Sequence, residues 1–143
     1  MSTCFCNNPH KTVSYEYYNN GLRKKLIYPD SSYITYHYDN LNRLIDIKDE
    51  AGSVIAHYEY DGLSSRRHSV TYLNGTSIEY DYDKLSRVTS VKNKLASGEV
   101  FSSFDYTYDK AGNRKSMTSD EGIYYYSYDK CCFRGRRTCA LWI

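Results

Sequence analysis

The stretch that decides the fold is residues 36–44, which read Tyr-His-Tyr-Asp-Asn-Leu-Asn-Arg-Leu. Similar stretches follow at 80–88, Tyr-Asp-Tyr-Asp-Lys-Leu-Ser-Arg-Val, and at 106–114, Tyr-Thr-Tyr-Asp-Lys-Ala-Gly-Asn-Arg. The spaced tyrosine pair occurs six times, and successive second tyrosines are 21, 22, 22, 26 and 20 residues apart. So regular a period indicates a tandem repeat, in which each copy is one supersecondary unit.

Each copy contains a segment with the two-residue periodicity of a β-strand. Steps of two back from the second tyrosine reach aromatic or apolar residues, as at Ile34, Tyr36 and Tyr38, and the positions between them are mostly polar. This alternation is typical of a strand with one covered face. We therefore expect a tyrosine-lined inner face on which rings of neighbouring copies stack, each pair adding ~0.5–1.5 kcal/mol.

A turn and a second strand follow each tyrosine pair. Five copies carry an aspartate directly after the second tyrosine, and an arginine follows four or five residues later. The residues between are rich in Asn, Gly and Ser, which favour tight turns. Second strands are predicted over 43–48, 66–73, 87–92 and 114–118, and each ends in another turn, of which Asn74-Gly75 is the strongest hairpin signal.

These patterns predict an all-β fold, in which tandem β-hairpins form one continuous antiparallel sheet strip. Stacked hairpins share a core that a single hairpin cannot form. Exposed ion pairs between the aspartates and arginines contribute only ~0–1 kcal/mol, so we expect the rings to hold the sheet. The residues assigned to the structural repeat are Tyr15, Tyr17, Tyr36, Tyr38, Asp39, Arg43, Tyr58, Tyr60, Asp61, Arg66, Tyr80, Tyr82, Asp83, Arg87, Tyr106, Tyr108, Asp109, Gly112, Arg114, Tyr126, Tyr128 and Asp129.

Composition narrows the function. Nineteen basic and 17 acidic residues give a formal net charge of +2, which argues against a polyanion-binding protein, and no specific nucleic-acid partner is expected. Eighteen tyrosines supply the apolar area that few aliphatic residues provide, which predicts a folded chain with a polar core. No apolar run approaches the roughly 18 residues of a membrane-spanning helix. Residues 1–11 lack the pattern of a secretory leader.

No catalytic, cofactor or metal site is predicted. The aspartates recur once per turn, whereas an active site is singular, so turn capping is the expected role. Neither a nucleophile elbow nor a phosphate-binding glycine loop is present. The histidines and cysteines match no common catalytic or zinc-binding spacing; they are His10, His37, His57, His68, Cys4, Cys6, Cys131, Cys132 and Cys139.

The three stretches quoted above resemble the YD repeats of the RHS family, and the resemblance covers about residues 13 to 130. It implies a sheet strip that forms part of an RHS-type β-spiral shell, as in bacterial toxin-delivery proteins, wall-associated proteins and teneurins. It also implies a non-enzymatic structural role in a secreted or cell-surface polymorphic toxin, where the shell encloses or displays a C-terminal effector. The implied partners are the remaining repeats of a longer shell or an effector domain.

The chain also departs from the RHS pattern. Family members are generally far longer, and the Asp-Pro-x-Gly ending is missing, so neither a self-cleaving site nor a toxin domain is carried over. We expect an irregular segment over 1–12, six repeats over 13–130 and a disordered non-repeat tail over 131–143. The abrupt change of composition in the tail leads to the hypothesis of a truncated or frame-shifted relic. Open sheet edges predict association or poor solubility.

Carbohydrate binding is the alternative function. Exposed tyrosines stack on sugar faces and offer hydroxyl groups for hydrogen bonds. The possible sugar-binding residues are tyrosines outside the main row, namely Tyr18, Tyr33, Tyr72 and Tyr125. The competing interpretation is that these rings pack against adjacent repeats or cover the sheet.

Overall fold

The computed structural model describes residues 12–128 and 140–141, and these residues form strands and turns without a helix. Eleven antiparallel strands form one open sheet whose spatial order is the order of the sequence, which confirms the predicted all-β hairpin strip. The strands are β1 Ser14–Tyr17, β2 Arg23–Ile27, β3 Tyr33–Tyr38, β4 Leu44–Lys48, β5 Val54–Tyr60, β6 Arg67–Tyr72, β7 Ser77–Tyr82, β8 Val88–Lys94, β9 Val100–Tyr108, β10 Arg114–Ser119 and β11 Gly122–Tyr125. No helix in the described residues is long and apolar enough to cross a membrane.

The sixth tyrosine segment differs from the other five. It was expected to be one strand through Tyr128, but β11 ends at Tyr125, and β12 Ser127–Tyr128 pairs instead with β13 Ala140–Leu141 in a second sheet. In β3, β7 and β9 the end of the strand pairs with the next strand along the chain. Within the described residues β11 pairs with β10 alone, and the Tyr126 amide continues this pairing by donating to the Lys115 carbonyl at 3.0 Å. Two residues of the predicted disordered tail thus lie in a strand, and the other tail residues lie outside the described residues.

The chain divides into two compact units, residues 1–57 and 58–143, with the division inside β5. In the first unit Tyr36 is paired with Ile47, and Ile47 with Ala56, so one face carries aromatic and aliphatic side chains. The opposite face is polar, because His37 is paired with Asp46 there. Antiparallel partners lie on the same face, so the register alone fixes this separation.

The second unit shows the same separation of faces. Tyr80 is paired with Val91, and Val91 with Phe104, on the aromatic face. Glu79 is paired with Lys92 on the polar face. Side chains alternate along each strand, so the tyrosines at steps of two fall on one face, as the periodicity predicted.

Small side chains occupy the most buried positions of the described residues. Ala56 and Val70 are the buried apolar residues, and Ser69, Ser90 and Ser116 are the buried polar ones. Each serine is the third residue of its strand, β6, β8 or β10. Because only one sheet layer is described, most larger side chains stay partly exposed.

One loop geometry closes almost every hairpin. In the turn from Asp39 to Arg43, the Asp39 amide donates to the Arg43 carbonyl at 2.9 Å, and the Asn42 amide donates to the Asp39 carbonyl at 3.0 Å. Asn42 has φ 61°, so this is a three-residue loop with a left-handed third residue. The same two bonds recur in turns that begin at Tyr18, Tyr28, Asp49, Tyr72, Asp83, Leu95 and Asp109. The turn from Asp61 to Arg66 is one residue longer.

A β-bulge follows each Tyr-Asp turn where the register is described. Tyr38 is paired with Leu44, whereas His37 is paired with Asp46, so Ile45 is an extra residue in β4. The same shift occurs where β1 pairs with β2, β7 with β8 and β9 with β10. A bulge bends the strand and redirects side chains locally.

Candidate functional site: the tyrosine, aspartate and arginine of each repeat

The second tyrosine of a repeat is hydrogen-bonded to the preceding repeat. Its hydroxyl donates to the carbonyl of the first residue of the preceding even-numbered strand. In the described residues these bonds join Tyr38 to Arg23 at 3.0 Å, Tyr82 to Arg67 at 2.8 Å, Tyr108 to Val88 at 2.6 Å and Tyr128 to Arg114 at 2.8 Å. Partial burial raises the pKa of Tyr38 and of Tyr82 above the ordinary value of 10.0, which keeps these hydroxyls protonated donors.

The aspartate after the second tyrosine caps its turn. Asp83 Oδ1 accepts hydrogen bonds from the Leu85 amide at 2.9 Å and the Arg87 amide at 3.0 Å, and Oδ2 accepts one from Arg87 Nε at 2.6 Å. Asp39 makes the same three contacts in its own turn. The backbone hydrogen bond from Arg87 is the main cause that lowers the pKa of Asp83 below 3.8, and desolvation opposes it.

In the next Tyr-Asp turn, the Asp109 carboxylate caps the turn in the same way but binds a different side chain. Asp109 Oδ1 accepts from the Ala111 and Asn113 amides at 2.9 and 2.8 Å, and Asn113 Nδ2 donates to Oδ2 at 3.0 Å. The side-chain hydrogen bond from Asn113 is the largest cause of the lowered pKa of Asp109. Gly112 is the left-handed residue of this turn, with φ 87°. An amide therefore replaces the guanidinium here.

The arginines occupy two positions that the sequence spacing did not separate. Arg43, Arg66 and Arg87 close their turns and pair with the aspartate, at 2.7, 3.4 and 2.6 Å. Arg114 is instead the first residue of β10, because Asn113 already closes its turn. The offset of five from aspartate to arginine thus reflects a longer turn for Arg66 and a later strand position for Arg114.

Arginines at the first strand position cover tyrosine rings. The Arg23 guanidinium carbon lies 4.8 Å from the ring centroid of Tyr15 and 5.5 Å from that of Tyr36. A side-chain hydrogen bond with Tyr36 is the main cause that raises the pKa of Arg23. In the second unit the corresponding contacts are Arg67 with Tyr58 at 4.8 Å, Arg114 with Tyr106 at 4.5 Å and Arg114 with Tyr126 at 5.8 Å. Turn arginines add Arg66 with Tyr82 at 5.5 Å and Arg87 with Tyr108 at 4.5 Å.

The structure therefore corrects the expected stacking of ring on ring. Tyrosine strands alternate with second strands, so successive tyrosine rows are separated by twice the ~4.8 Å strand spacing. A guanidinium from the intervening strand fills that gap, and cation–π contacts contribute ~0.5–1 kcal/mol at exposed sites. Tyr18 and Tyr38 do form an edge-to-face ring pair, at 6.2 Å and 88°. Guanidinium–ring contacts therefore link the tyrosine rows, where direct ring stacking was expected.

The four tyrosines considered for sugar binding lie in different environments. The Tyr33 ring is covered by Lys25 Nζ at 3.6 Å. Tyr72 is 39% exposed at the end of β6, and Tyr125 is 69% exposed at the end of β11. Tyr18 is 37% exposed, and its hydroxyl donates to the Tyr36 carbonyl at 3.1 Å. Tyr18 and Tyr33 belong to the first unit, and Tyr72 and Tyr125 belong to the second.

Tyr18 borders a polar groove of about 400 Å³ in the first unit. Asn20 and Asn42 form one side, where Asn20 Nδ2 donates to Asn42 Oδ1 at 3.1 Å. His37 and Asp46 also line the groove. The Tyr18 ring is fixed by its hydroxyl bond and its contact with Tyr38, so this groove combines an immobilised aromatic ring with polar side chains.

Several predicted features lie outside the described residues or remain predictions. Asp129 and all five cysteines lie outside the described residues. Among the described residues, no three His, Cys, Asp or Glu side chains are arranged to hold a metal ion. The division into 1–12, 13–130 and 131–143 stays a prediction.

Solved structures with the same fold include chains of Tc toxins. The crystal structures of TcdB2-TccC3 and of TcdB2-TccC3-Cdc42 match with TM-scores of 0.73 and 0.72 at 19% identity, over 83% of this chain and 7% and 6% of theirs. The Photorhabdus luminescens Tc holotoxin pore with the mutation TccC3-D651A matches with a TM-score of 0.71 at 19% identity, over 83% of this chain and 6% of that chain. These matched chains carry RHS repeats, so the fold that the RHS resemblance implied is confirmed. No known family profile and no curated protein matches the sequence.

Proposed function

We propose that this chain is a structural wall segment of an RHS-type toxin shell, which encloses or displays a C-terminal effector and performs no catalysis itself. The observation that carries the proposal is the fold match to TcdB2-TccC3 at a TM-score of 0.73. The chain spans only 6–7% of the length of the matched chains, so its partners are further repeats of a shell or the effector. A secreted or cell-surface location follows from the same role.

The contacts within the sheet support a wall in preference to an enzyme. Asp39, Asp83 and Asp109 each accept backbone hydrogen bonds within their own turns, and the pKa of each is lowered. A carboxyl group acting as a general acid has a raised pKa, because it must stay protonated near neutral pH. The hydroxyls of Tyr38, Tyr82 and Tyr108 likewise form hydrogen bonds between neighbouring strands. The aspartate and tyrosine side chains of the repeat therefore stabilise the sheet and its turns.

The exposed β1 edge supports association with further repeats. Tyr15 and Tyr17 in β1 are 47% and 57% exposed. Tyr36 and Tyr38, the equivalent tyrosines in β3, are half-buried. β1 pairs with β2 alone within the described sheet, which leaves one edge open. Unpaired strand edges are templates for pairing with another chain. Light scattering should detect oligomers of the isolated chain, and a monodisperse monomer would contradict this part of the proposal.

A chimera tests the shell role directly. This chain would replace the structurally matched stretch of the TcdB2-TccC3 complex, and proteolysis of the hypervariable C-terminal region of that complex would be followed. We expect the chimera to assemble and to leave that region no more accessible to protease than it is in the unmodified complex. The matched control carries Tyr108→Ala, which removes both the Val88 hydrogen bond and the Arg87 contact. An assembled chimera with an unprotected C-terminal region would refute the wall function.

The groove beside Tyr18 favours carbohydrate binding as a second candidate function. An immobilised ring flanked by Asn20, Asn42, His37 and Asp46 offers a stacking face and hydrogen-bonding groups to a sugar. A glycan array with the wild-type chain and the variants Tyr18→Ala and Tyr72→Ala tests this candidate. Binding lost with Tyr18→Ala and retained with Tyr72→Ala would support the groove. Equal binding by all three proteins would exclude it.

A further inference from the structure

We propose that Asn74 is an acceptor for an N-linked glycan, in the turn between β6 and β7. Asn74-Gly75-Thr76 is the one place in the sequence where a hydroxyl residue stands two positions after an asparagine with no proline between them. This triplet is the acceptor signal for N-glycosylation in surface loops of exported chains. The inference does not rest on the shell role, because it concerns one turn and its own chemistry.

The geometry of the turn presents the Asn74 side chain to solvent. Asn74 is exposed, and its Oδ1 accepts hydrogen bonds from the Thr76 amide at 3.1 Å and from Thr76 Oγ1 at 2.7 Å. Both donors hold the carboxamide oxygen toward the backbone of the turn. Within the described residues Nδ2 has no hydrogen-bond acceptor, so the nitrogen that would be modified is not engaged.

Gly75 fixes the conformation of the triplet. Its φ is 79°, and a Cβ atom there would lie 2.7 Å from Ala96 Cβ in the neighbouring turn. The Gly75 amide donates to the Tyr72 carbonyl at 2.8 Å, and the Tyr72 amide donates to the Thr76 carbonyl at 2.9 Å. The backbone of the middle residue thus approaches Ala96 closely, whereas the asparagine beside it is exposed.

The reaction is transfer of a glycan from an oligosaccharide carried on a polyprenyl diphosphate. Asn74 Nδ2 forms a bond with the anomeric carbon while the bond from that carbon to the diphosphate oxygen breaks. Polyprenyl diphosphate leaves with the bonding electron pair, and one Nδ2 proton passes to a carboxylate of the transferring enzyme. The step involves no oxidation or reduction.

The test uses the full chain, with a cleavable secretion leader and an appended Asn-Ala-Thr acceptor peptide, expressed in a eukaryotic secretory pathway. Only chains whose appended peptide carries a glycan are scored by peptide mass spectrometry. We expect a glycan at Asn74 that peptide N-glycosidase removes, leaving aspartate at that position. Asn74→Gln and Thr76→Ala should abolish it, whereas Thr76→Ser should retain it.

Asn40→Gln is the matched control, because Asn40 is also an exposed turn asparagine but has no hydroxyl residue two positions on. It should leave the glycan at Asn74 unchanged. Chains glycosylated on the appended peptide and unmodified at Asn74 would overturn the proposal. Modification that persists in the well-folded Thr76→Ala variant would overturn it as well.

Discussion

Replacing Tyr82 by phenylalanine removes one oxygen atom and thereby tests the bond between repeats. The hydroxyl donates to the Arg67 carbonyl at 2.8 Å, whereas the ring, with the Arg66 guanidinium 5.5 Å from its centroid, is retained. The buried apolar area therefore stays the same, and the expected loss is the net value of one hydrogen bond, ~0.5–1.5 kcal/mol. Tyr82→Leu should cost more, because it also removes the cation–π contact.

Urea unfolding followed by circular dichroism at neutral pH measures this loss. Tyr72→Phe is the control, because Tyr72 is 39% exposed and its hydroxyl has no hydrogen-bond partner among the described residues. The control should change the free energy of unfolding by less than ~0.5 kcal/mol. Equal midpoints for Tyr82→Phe and Tyr72→Phe, with unchanged slopes, would refute the role assigned to the hydroxyl.

Three further perturbations test the Tyr82 hydroxyl, the aspartate cap and the left-handed turn residues. Burial raises the pKa of Tyr82 above 10.0, so the contribution of its protonated hydroxyl to the free energy of unfolding is complete below pH 10.0 and is lost as pH rises through the folded-state pKa. In urea unfolding at alkaline pH, wild type should therefore lose more stability than Tyr82→Phe. Parallel curves of stability against pH for the two proteins would contradict this. The pKa of Asp83 is lowered from 3.8, so the contribution of its carboxylate to the free energy of unfolding is present above pH 3.8 and is lost as pH falls through the folded-state pKa. Asp83→Asn should therefore flatten the acid limb of the curve of stability against pH. An unchanged acid limb would count against the capping role of Asp83. Ser31 and Gly21 have the left-handed φ values of 71° and 81°. Ser31→Gly should therefore raise the melting temperature and Gly21→Ala should lower it, each by the equivalent of ~0.5–1 kcal/mol. Shifts of the same sign for the two variants would exclude the left-handed assignment.

The repeat period predicted the strands and turns because both depend on residues close together in the sequence. The two arginine positions were not predicted, since an offset counted across a turn is ambiguous until the turn length is known; Asn113 resolves it for Arg114, and the longer loop resolves it for Arg66. The guanidinium between the rings was missed because periodicity fixes a side chain's face but not its neighbour across the sheet. The consecutive arginines Arg66 and Arg67 were the available sequence signal for two arginine positions, because one turn position cannot hold both residues.

The hydroxyls of Tyr38 and Tyr82 each reach only the adjacent strand, and one loop type closes nearly all the hairpins. A duplicated or deleted copy therefore leaves the surviving neighbours with equivalent partners and an unshifted pairing pattern. Genes encoding such a sheet can lengthen or shorten in whole steps of 20 to 26 codons, the spacing between the copies. Single-codon insertions within a strand lack this freedom, because they move every following side chain to the opposite face.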